Sequence, residues 1–301
     1  MVESRALWKS VVMLGCVLGI SLCVGSVCFA DDPAERARAV VSGPAPEAVE
    51  GTVVIPPLGD LLFIGTSQNS TDPTSTLNDV FTVDPMTDTS ASVATGVQVW
   101  GATADIANQR VLFTRSSGNG SGDQLFEVPY AGGDPASVGL IMDPTGAPMR
   151  IDGLAISGGV LYGTNADALN NGLYSIDWGT LVATQVGAFA DSISGIDADP
   201  DTGVIYGVND TTGQLVTLSP TGTITPVINY PAGFSDIDGI AVGNGIVYLV
   251  ADEAGPIPAY DIAGAAYGTP LTSPFTSADV FSGAAYAVGV IPVELQSFYV
   301  E

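Results

Sequence analysis

Residues Ser194 to Asn209, SGIDADPDTGVIYGVN, form one copy of a repeated pattern from which the fold can be predicted. It opens on a glycine phrase, passes through an Asp/Pro/Gly turn and ends in an apolar run with one aromatic residue. Similar phrases surround four more glycines, at spacings of 52, 42, 44 and 44 residues, and the full set is Gly101, Gly153, Gly195, Gly239 and Gly283. A period in the forties, built from strand-like pieces, is typical of a β-propeller in which each repeat forms one four-stranded blade.

Each repeat divides into strands in the same way. The glycine phrase is the first strand, and an apolar run with an aromatic residue, such as Val204-Ile205-Tyr206, is the second. The third strand alternates, as in residues 214–218, and the fourth is weaker and rich in Thr and Val, as in residues 183–187. Period-two alternation with β-branched and aromatic residues predicts strands rather than helices.

The two ends of the repeat region predict one shared blade. Residues 61–65 have the pattern of a second strand with no first strand before it, and residues 79–84 follow as a third strand. Residues 281–288 have the pattern of a first strand with nothing after it. Joining them removes exposed sheet edges. We therefore predict an all-β, five-bladed β-propeller with N/C-terminal closure of one blade. A six-bladed ring, with a divergent blade in the region before residue 58, is the alternative.

The first thirty residues predict a secretory signal peptide. Arg5 and Lys9 precede an apolar run from Val11 to Ala30, and a small-x-small cleavage site ends just before Asp31. An uncleaved anchor is the alternative, because the run is close to the ~20 residues of a membrane span. We expect an exported protein (periplasmic, extracellular or at the cell surface) with no membrane span after cleavage. The predicted domains are a signal peptide (1–30), a flexible linker (31–57), the propeller (58–290) and a C-terminal edge strand or tail (291–301).

Composition excludes several kinds of site. Cys16, Cys23 and Cys28 all lie in the predicted signal peptide, so we expect no disulfide or thiolate chemistry in the mature chain. The chain has no histidine, which excludes a Ser-His-Asp triad and a His-ligated zinc site. Seven basic residues stand against 32 acidic ones, for a net charge of −25, so nucleic acid would be repelled.

The glycines and aromatic residues have structural roles in this interpretation. First strands crowd around the central channel of a propeller, and a residue without Cβ lets the backbones approach closely. The aromatic residues of the second strands are expected to fill the space between neighbouring blades.

Acidic residues recur just before the predicted first strands. They are expected to lie at one mouth of the channel, where carboxylates and backbone carbonyls hold Ca²⁺ well. The candidate metal ligands are Asp152, Asp191, Asp236, Asp238 and Asp279. The alternative is a ring of solvated turn and capping aspartates with no bound metal.

Two further features invite a functional interpretation. Asp197, Asp199 and Asp201 with Gly203 imitate an acidic calcium loop, but the spacing departs from the EF-hand pattern and we expect a β-turn. The second blade carries extra residues, and we expect binding loops at its insertions. The predicted binding-loop residues are Asn119, at a hairpin tip, Asp143 and Arg150.

The segment from Gly195 to Gly207, followed by GQLVTL at 213–218, resembles repeats of secreted bacterial β-propellers of the NHL and YVTN type. It is also similar to the broader superfamily that holds gluconolactonase-like and quinoprotein propellers. The resemblance covers residues 58–290 and implies the architecture. The gluconolactonase-like relatives use a channel metal held by acids and amides, and that ligand set does not match this chain residue by residue.

Three functions remain open, and the third is a purely structural role at the surface for an exported protein. The first is an exported, non-catalytic binding or scaffold module that contacts a protein or glycan through one loop face, with no catalytic residues and no cofactor. The second is a divalent-metal-dependent, lactonase-like hydrolase with an Asp-lined channel site. Convergence of three or more of the candidate aspartates on one point would favour the second function.

Overall fold

A computed structural model describes residues 59–66, 79–94, 99–116, 123–130, 134–167, 169–252, 255–272 and 281–290. These residues all belong to one compact unit. The predicted signal peptide, linker and C-terminal segment lie outside the described residues. No helix in the described ranges is long and apolar enough to cross a bilayer.

The described strands form five four-stranded antiparallel sheets, which are the predicted blades. Blade 1 is β20 (Phe281–Val290), β1 (Gly59–Thr66), β2 (Asp79–Asp84) and β3 (Thr89–Ala94). Blade 2 is β4 (Ala102–Asp105), β5 (Arg110–Ser116), β6 (Asp123–Pro129) and β7 (Ala136–Leu140), with a 3-10 turn at Ile106–Asn108. Blade 3 is β8 (Gly153–Ser157), β9 (Val160–Asn165), β10 (Gly172–Ile176) and β11 (Ala183–Ala188). Blade 4 is β12 (Ile193–Ala198), β13 (Ile205–Asn209), β14 (Gln214–Leu218) and β15 (Ile224–Asn229). Blade 5 is β16 (Ile237–Gly243), β17 (Ile246–Ala251), β18 (Ala259–Asp261) and β19 (Ala266–Tyr267).

The predicted closure is confirmed. Strand β20 pairs antiparallel with β1, with Leu62 opposite Tyr286 and Ile64 opposite Ala284. The Asp60 carboxylate adds a link, since its Oδ1 accepts a hydrogen bond from the Gly289 N–H at 2.9 Å. The two ends of the repeat region are therefore joined within one sheet, and the ring of blades is complete.

The five glycines mark the contacts between consecutive blades. A Cβ on Gly101 would lie 2.7 Å from the Asp152 carbonyl oxygen, and one on Gly153 would lie 2.6 Å from the Ser194 carbonyl oxygen. A Cβ on Gly195 would lie 2.3 Å from the Asp238 carbonyl oxygen, and one on Gly283 would lie 2.7 Å from Val99 Cγ1, just before β4. Gly239 differs, because a Cβ there would lie 3.0 Å from Val250 of its own blade and 3.5 Å from Ala284 of blade 1, and the latter is ordinary contact. The innermost strands contact one another in the order β4, β8, β12, β16, β20 and back to β4. The predicted steric role is confirmed at four of the five glycines, and Gly239 is the exception.

Apolar side chains fill the space between blades. Tyr206 of β13 is buried with Ile240 and Val247 of blade 5, and Phe113 of β5 is buried with Phe63 of blade 1. Stacking adds to this packing, because the rings of Tyr248 and Tyr286 lie 5.7 Å apart. The second-strand aromatics therefore fill the gaps between blades, as predicted.

Candidate functional site

A cavity of about 330 Å³ opens at one end of the channel, and all five blades line it. Each blade contributes the residue three positions after the glycine of its repeat, and these residues are Ala104, Ile156, Ala198, Val242 and Tyr286. Since the equivalent residue of every innermost strand meets here, the five strands run in the same direction along the channel. We call this end, where the innermost strands finish, the C-terminal mouth, and the other end the N-terminal mouth.

Asp197 is one of the buried carboxylates at the C-terminal mouth. It is 4% exposed, its Oδ1 accepts a hydrogen bond from Thr103 Oγ1 at 2.9 Å, and its Oδ2 accepts one from the Val242 N–H at 2.8 Å. Burial raises the pKa of Asp197 to about 8, although hydrogen bonds from Val242, Thr103 and Ala198 oppose that rise. The neighbouring carboxylate of Asp199 raises it further. The carboxyl therefore favours the protonated form at neutral pH.

A second acid in the cavity wall is paired with a cation. Buried Asp105 accepts a hydrogen bond from Arg110 Nε at 2.8 Å, and the Arg110 guanidinium also pairs with Glu127. The same guanidinium lies 5.7 Å from the centre of the Trp178 ring, and Trp178 Nε1 donates to the Gly159 carbonyl at 3.1 Å. Trp178 is 39% exposed and bonds Gly159, which lines the cavity, so we describe its indole as lying on the rim.

Two tyrosine hydroxyls also lie close to carboxylates, Tyr130 to Asp197 and Asp105, and Tyr286 to Asp60. Burial raises the pKa of Tyr130, and the carboxylates of Asp197, Asp105 and Asp60 raise it further. The Tyr130 hydroxyl is buried and has no hydrogen-bond partner within the described ranges. Tyr286 donates to Asp60 Oδ2 at 3.2 Å. The C-terminal mouth is thus apolar along its strands and acidic at a few fixed points.

The predicted metal ligands are found at the other end of the channel. Asp152 is buried, pairs with Arg150 Nε at 2.6 Å and accepts a hydrogen bond from the Ala166 N–H at 2.8 Å. Asp191 is half-buried, and its Oδ2 accepts a hydrogen bond from Asn209 Nδ2 at 2.9 Å.

Two more members of that set lie on blade 5. Asp236 is half-buried with a left-handed backbone (φ 57°), and Asp238 is buried. Asp279 lies outside the described residues. In the described part of the chain, no three acidic side chains gather as a group able to hold a metal ion. The Ca²⁺ site stays a prediction.

The predicted binding-loop residues are held by internal contacts. Asp143 Oδ1 accepts hydrogen bonds from Thr145 Oγ1 at 2.7 Å and from the Ala147 N–H at 2.9 Å, and these bonds lower the pKa of Asp143. Arg150 lies 4.9 Å from the centre of the Trp100 ring while it pairs with Asp152. Asn119 lies outside the described residues. Asp143 and Arg150 therefore stabilise the segment that leads into β8, and their role in binding stays a prediction.

A tight turn follows β12, as expected, and it is closed by a hydrogen bond between residues four apart rather than the three of a β-turn. Asp199 Oδ1 accepts a hydrogen bond from the Asp201 N–H at 3.1 Å, and its Oδ2 accepts one from Thr202 Oγ1 at 2.5 Å. Gly203 has a φ of 72° and donates its N–H to the Asp199 carbonyl at 2.8 Å. Asp197 differs from both acids, since it lies inside β12 and its carboxylate enters the channel wall. Sequence reasoning grouped it with the turn and missed this position, although its place two residues after Gly195 was a usable signal.

Comparison with known proteins gives likeness in fold only. No protein-family model matches the chain, and no curated protein matches it. A solved nidogen/laminin complex contains a chain that is 11% identical, with a TM-score of 0.50, and the match covers 76% of this chain and 99% of that chain.

Virginiamycin B lyase from Staphylococcus aureus is similar at a lower level. A catalytically inactive form with quinupristin is 14% identical, with a TM-score of 0.40, and the match covers 67% of this chain and 65% of that chain. A selenomethionine-substituted form gives the same identity and TM-score over 70% of each chain. Together, the five four-stranded sheets and the nidogen-complex match show that the chain is a five-bladed β-propeller.

Proposed function

We propose that the protein is a non-catalytic binding module that takes a protein or glycan partner at its C-terminal mouth. The observation that carries this proposal is the cavity of about 330 Å³ lined by all five blades, with an exposed indole on its rim. Concave, largely apolar sites with a few fixed polar groups are the usual form of a binding site.

The rim offers contact area that is already ordered. Trp178 is held by its hydrogen bond to Gly159 and by the Arg110 guanidinium. Exposed Val160 follows Gly159 directly in the chain. Exposed Val204 follows Gly203, whose carbonyl accepts a hydrogen bond from Ser157 Oγ at 2.6 Å. Because these side chains are held before binding, a partner loses little of its binding free energy to ordering them.

A paired substitution tests the location of this face. Trp178→Ala removes the indole at the C-terminal mouth, and Leu169→Ala removes a 90% exposed side chain from the loop that joins β9 and β10 on the opposite side. On an array of immobilised glycans and proteins of known identity, we expect Trp178→Ala to weaken binding about tenfold or more and Leu169→Ala to leave it unchanged. Equal binding by wild type and Trp178→Ala would contradict the proposal.

The hydrolase alternative has its own assay. A metal-dependent lactonase would open simple γ- and δ-lactones in the presence of Ca²⁺ and lose that activity in EDTA. Turnover that depends on Asp152 or Asp238 would place the function at the N-terminal mouth and overturn the binding proposal.

We also propose that the protein is exported. Support comes from Arg5 and Lys9 ahead of the apolar run that ends at Ala30. N-terminal sequencing of the secreted material tests this, since cleavage after Ala30 gives a mature chain that begins with Asp31-Asp32. Retention of the full chain in the membrane fraction would favour the uncleaved anchor.

A further inference from the structure

We propose that the cavity at the C-terminal mouth binds a primary ammonium group on a short apolar stem, with Asp197 as its counter-ion. A lysine side chain of a protein partner and a small free amine both present this chemistry. The inference rests on the proposed function, because it takes the C-terminal mouth as the binding face and names what enters the cavity.

The wall of the cavity suits a short alkyl stem. Apolar side chains from the strands and turns line most of it, among them Ile106, Ile156, Pro200 and Val242. The volume of about 330 Å³ is at the lower end of the ~300–1,000 Å³ typical of small-molecule pockets. A single extended side chain or a small amine fits that space. A macromolecule could place only one such side chain in it.

Asp197 is the acid in this wall that is available to a cation. Asp105 already pairs with Arg110, whereas the donors to Asp197 are the neutral Thr103 hydroxyl and the N–H groups of Val242 and Ala198. A carboxylate offers about four lone-pair positions, so Asp197 retains capacity for one more donor. An N⁺–H group is the strongest donor for that place.

The charges around Asp197 also favour a cation. Asp199 follows it two residues later in the chain, and the Tyr130 hydroxyl of blade 2 is close enough for the Asp197 carboxylate to raise its pKa. Asp105 of blade 2 and Tyr286 of blade 1 line the same cavity. The net charge of −25 adds a long-range attraction for cations. The raised pKa of Asp197, about 8, is consistent with this arrangement, because an incoming ammonium group would stabilise the carboxylate form. Binding at neutral pH should therefore release a proton.

The test is calorimetric titration of the folded propeller with three probes. These are Nα-acetyl-lysine methylamide, n-pentylamine and the neutral n-pentanol. We expect at least one amine to bind about tenfold or more tightly than n-pentanol. We also expect the heat at about pH 7 to differ between buffers of different ionisation enthalpy, because a proton is released. Tighter binding of the lysine derivative identifies a peptide source for the ammonium group, and tighter binding of n-pentylamine identifies a free amine.

Three variants complete the test. Asp197→Asn removes the counter-ion, Ala104→Leu fills the cavity and leaves Asp197 in place, and Asp201→Asn removes the same charge from an exposed turn nearby. We expect the first two to lose about tenfold or more in amine affinity and the third to stay within about twofold. If Asp197→Asn fails to fold, Ala104→Leu still decides the outcome.

Three results would overturn the inference: no amine binding by the wild type, equal binding of n-pentanol, or equal losses in Asp197→Asn and Asp201→Asn. If an array partner binds in a way that depends on Trp178, but no amine binds, the proposed function is supported and only the ammonium site is refuted. If amines bind in a way that depends on Asp197, but no array partner binds in a way that depends on Trp178, the cavity site is supported and the proposal of a macromolecular partner is refuted.

Discussion

Thr103 of blade 2 and Asp197 of blade 4 meet across the channel, with Thr103 Oγ1 2.9 Å from Asp197 Oδ1. These blades are not neighbours in the ring, since blade 3 lies between them. The other carboxylate oxygen accepts the N–H of Val242 in blade 5. One buried acid therefore connects three blades at the level of the cavity, and its ionisation influences both the stability and the binding chemistry of the propeller.

The first prediction concerns the pH dependence of stability. The pKa of Asp197 is about 8 in the folded protein and near ~3.9 in an unfolded chain. The native state therefore holds the extra proton between these values, and this group makes the protein less stable as pH rises from about 4 to about 8. Asp197→Asn, which does not titrate, should gain stability relative to wild type over that range. Urea unfolding of both proteins at about pH 5 and about pH 8.5 measures the change.

Comparison of the two proteins isolates this group from the other acids. Hydrogen bonds from threonine lower the pKa of Asp143 and Asp177, and these residues contribute stability that is lost at low pH. Their effect is common to wild type and variant and cancels in the difference. A difference that does not change with pH would show that Asp197 is ionised normally in the folded protein.

The second prediction tests the close approach of the blades. A Cβ at Gly153 would lie 2.6 Å from the Ser194 carbonyl oxygen and 2.7 Å from the Ile196 nitrogen, so backbone must move. Gly153→Ala should cost about 3 kcal/mol of unfolding free energy, the upper end of typical overpacking effects. Gly59→Ala is the matched control, because nothing lies within 4 Å of the position that a Cβ would take there. Equal stability of the two variants by urea unfolding would refute the steric role of the glycine.

The third prediction separates a structural from a binding role for Arg150. Its partner Asp152 has a side chain only 2% exposed, and Arg150→Met leaves that carboxylate without its cation. We expect a loss of about 2 kcal/mol, less than for a fully buried pair because the arginine side chain is 24% exposed. The double variant Arg150→Met/Asp152→Asn should recover part of the loss. Thermal and urea unfolding check both. Full stability of Arg150→Met, together with lost partner binding, would assign Arg150 to recognition instead.

The fourth prediction concerns the closure of the ring. Asp60 in β1 accepts hydrogen bonds from the Gly289 N–H at 2.9 Å, from the Tyr286 hydroxyl at 3.2 Å and from Asn244. Asp60→Ala should cost about 1–2 kcal/mol and speed unfolding, because it weakens the link between the chain ends and blade 5. Asp201→Ala, in an exposed turn, is the control. Unfolding rates that are the same for both variants would show that the link does not contribute to closure.

The sequence predicted the ring because each blade repeats one local steric requirement. Gly195 needs space beside the next blade just as Gly153 does, so the same residue type recurs at the blade period. Closure was predictable for a related reason, since the strands at the two ends complete each other's pattern. Local requirements of this kind leave a signature in the order of residues.

The cavity was not predictable in the same way. Its five lining positions in the innermost strands hold Ala, Ile, Ala, Val and Tyr, a mainly apolar set that cannot be told from ordinary core positions in the sequence. The importance of Asp197 depends on Thr103, 94 residues away in a blade that is not adjacent. The recurrent spacing of the sequence pointed to the aspartates of the N-terminal mouth. There, Asp152 forms an ion pair with Arg150, two residues earlier in the chain. Contacts across the channel depend on how all five blades are arranged, so no local sequence pattern predicts them.

Hydrogen–deuterium exchange, with and without a partner identified on the array, shows whether binding occurs at the C-terminal mouth. Binding there predicts slower exchange at residues 157–160 and 177–182, which form the turns around Gly159 and Trp178. Slower exchange at residues 189–192 and 234–238, with no change in the first two segments, would place the partner at the N-terminal mouth and refute the proposed binding face.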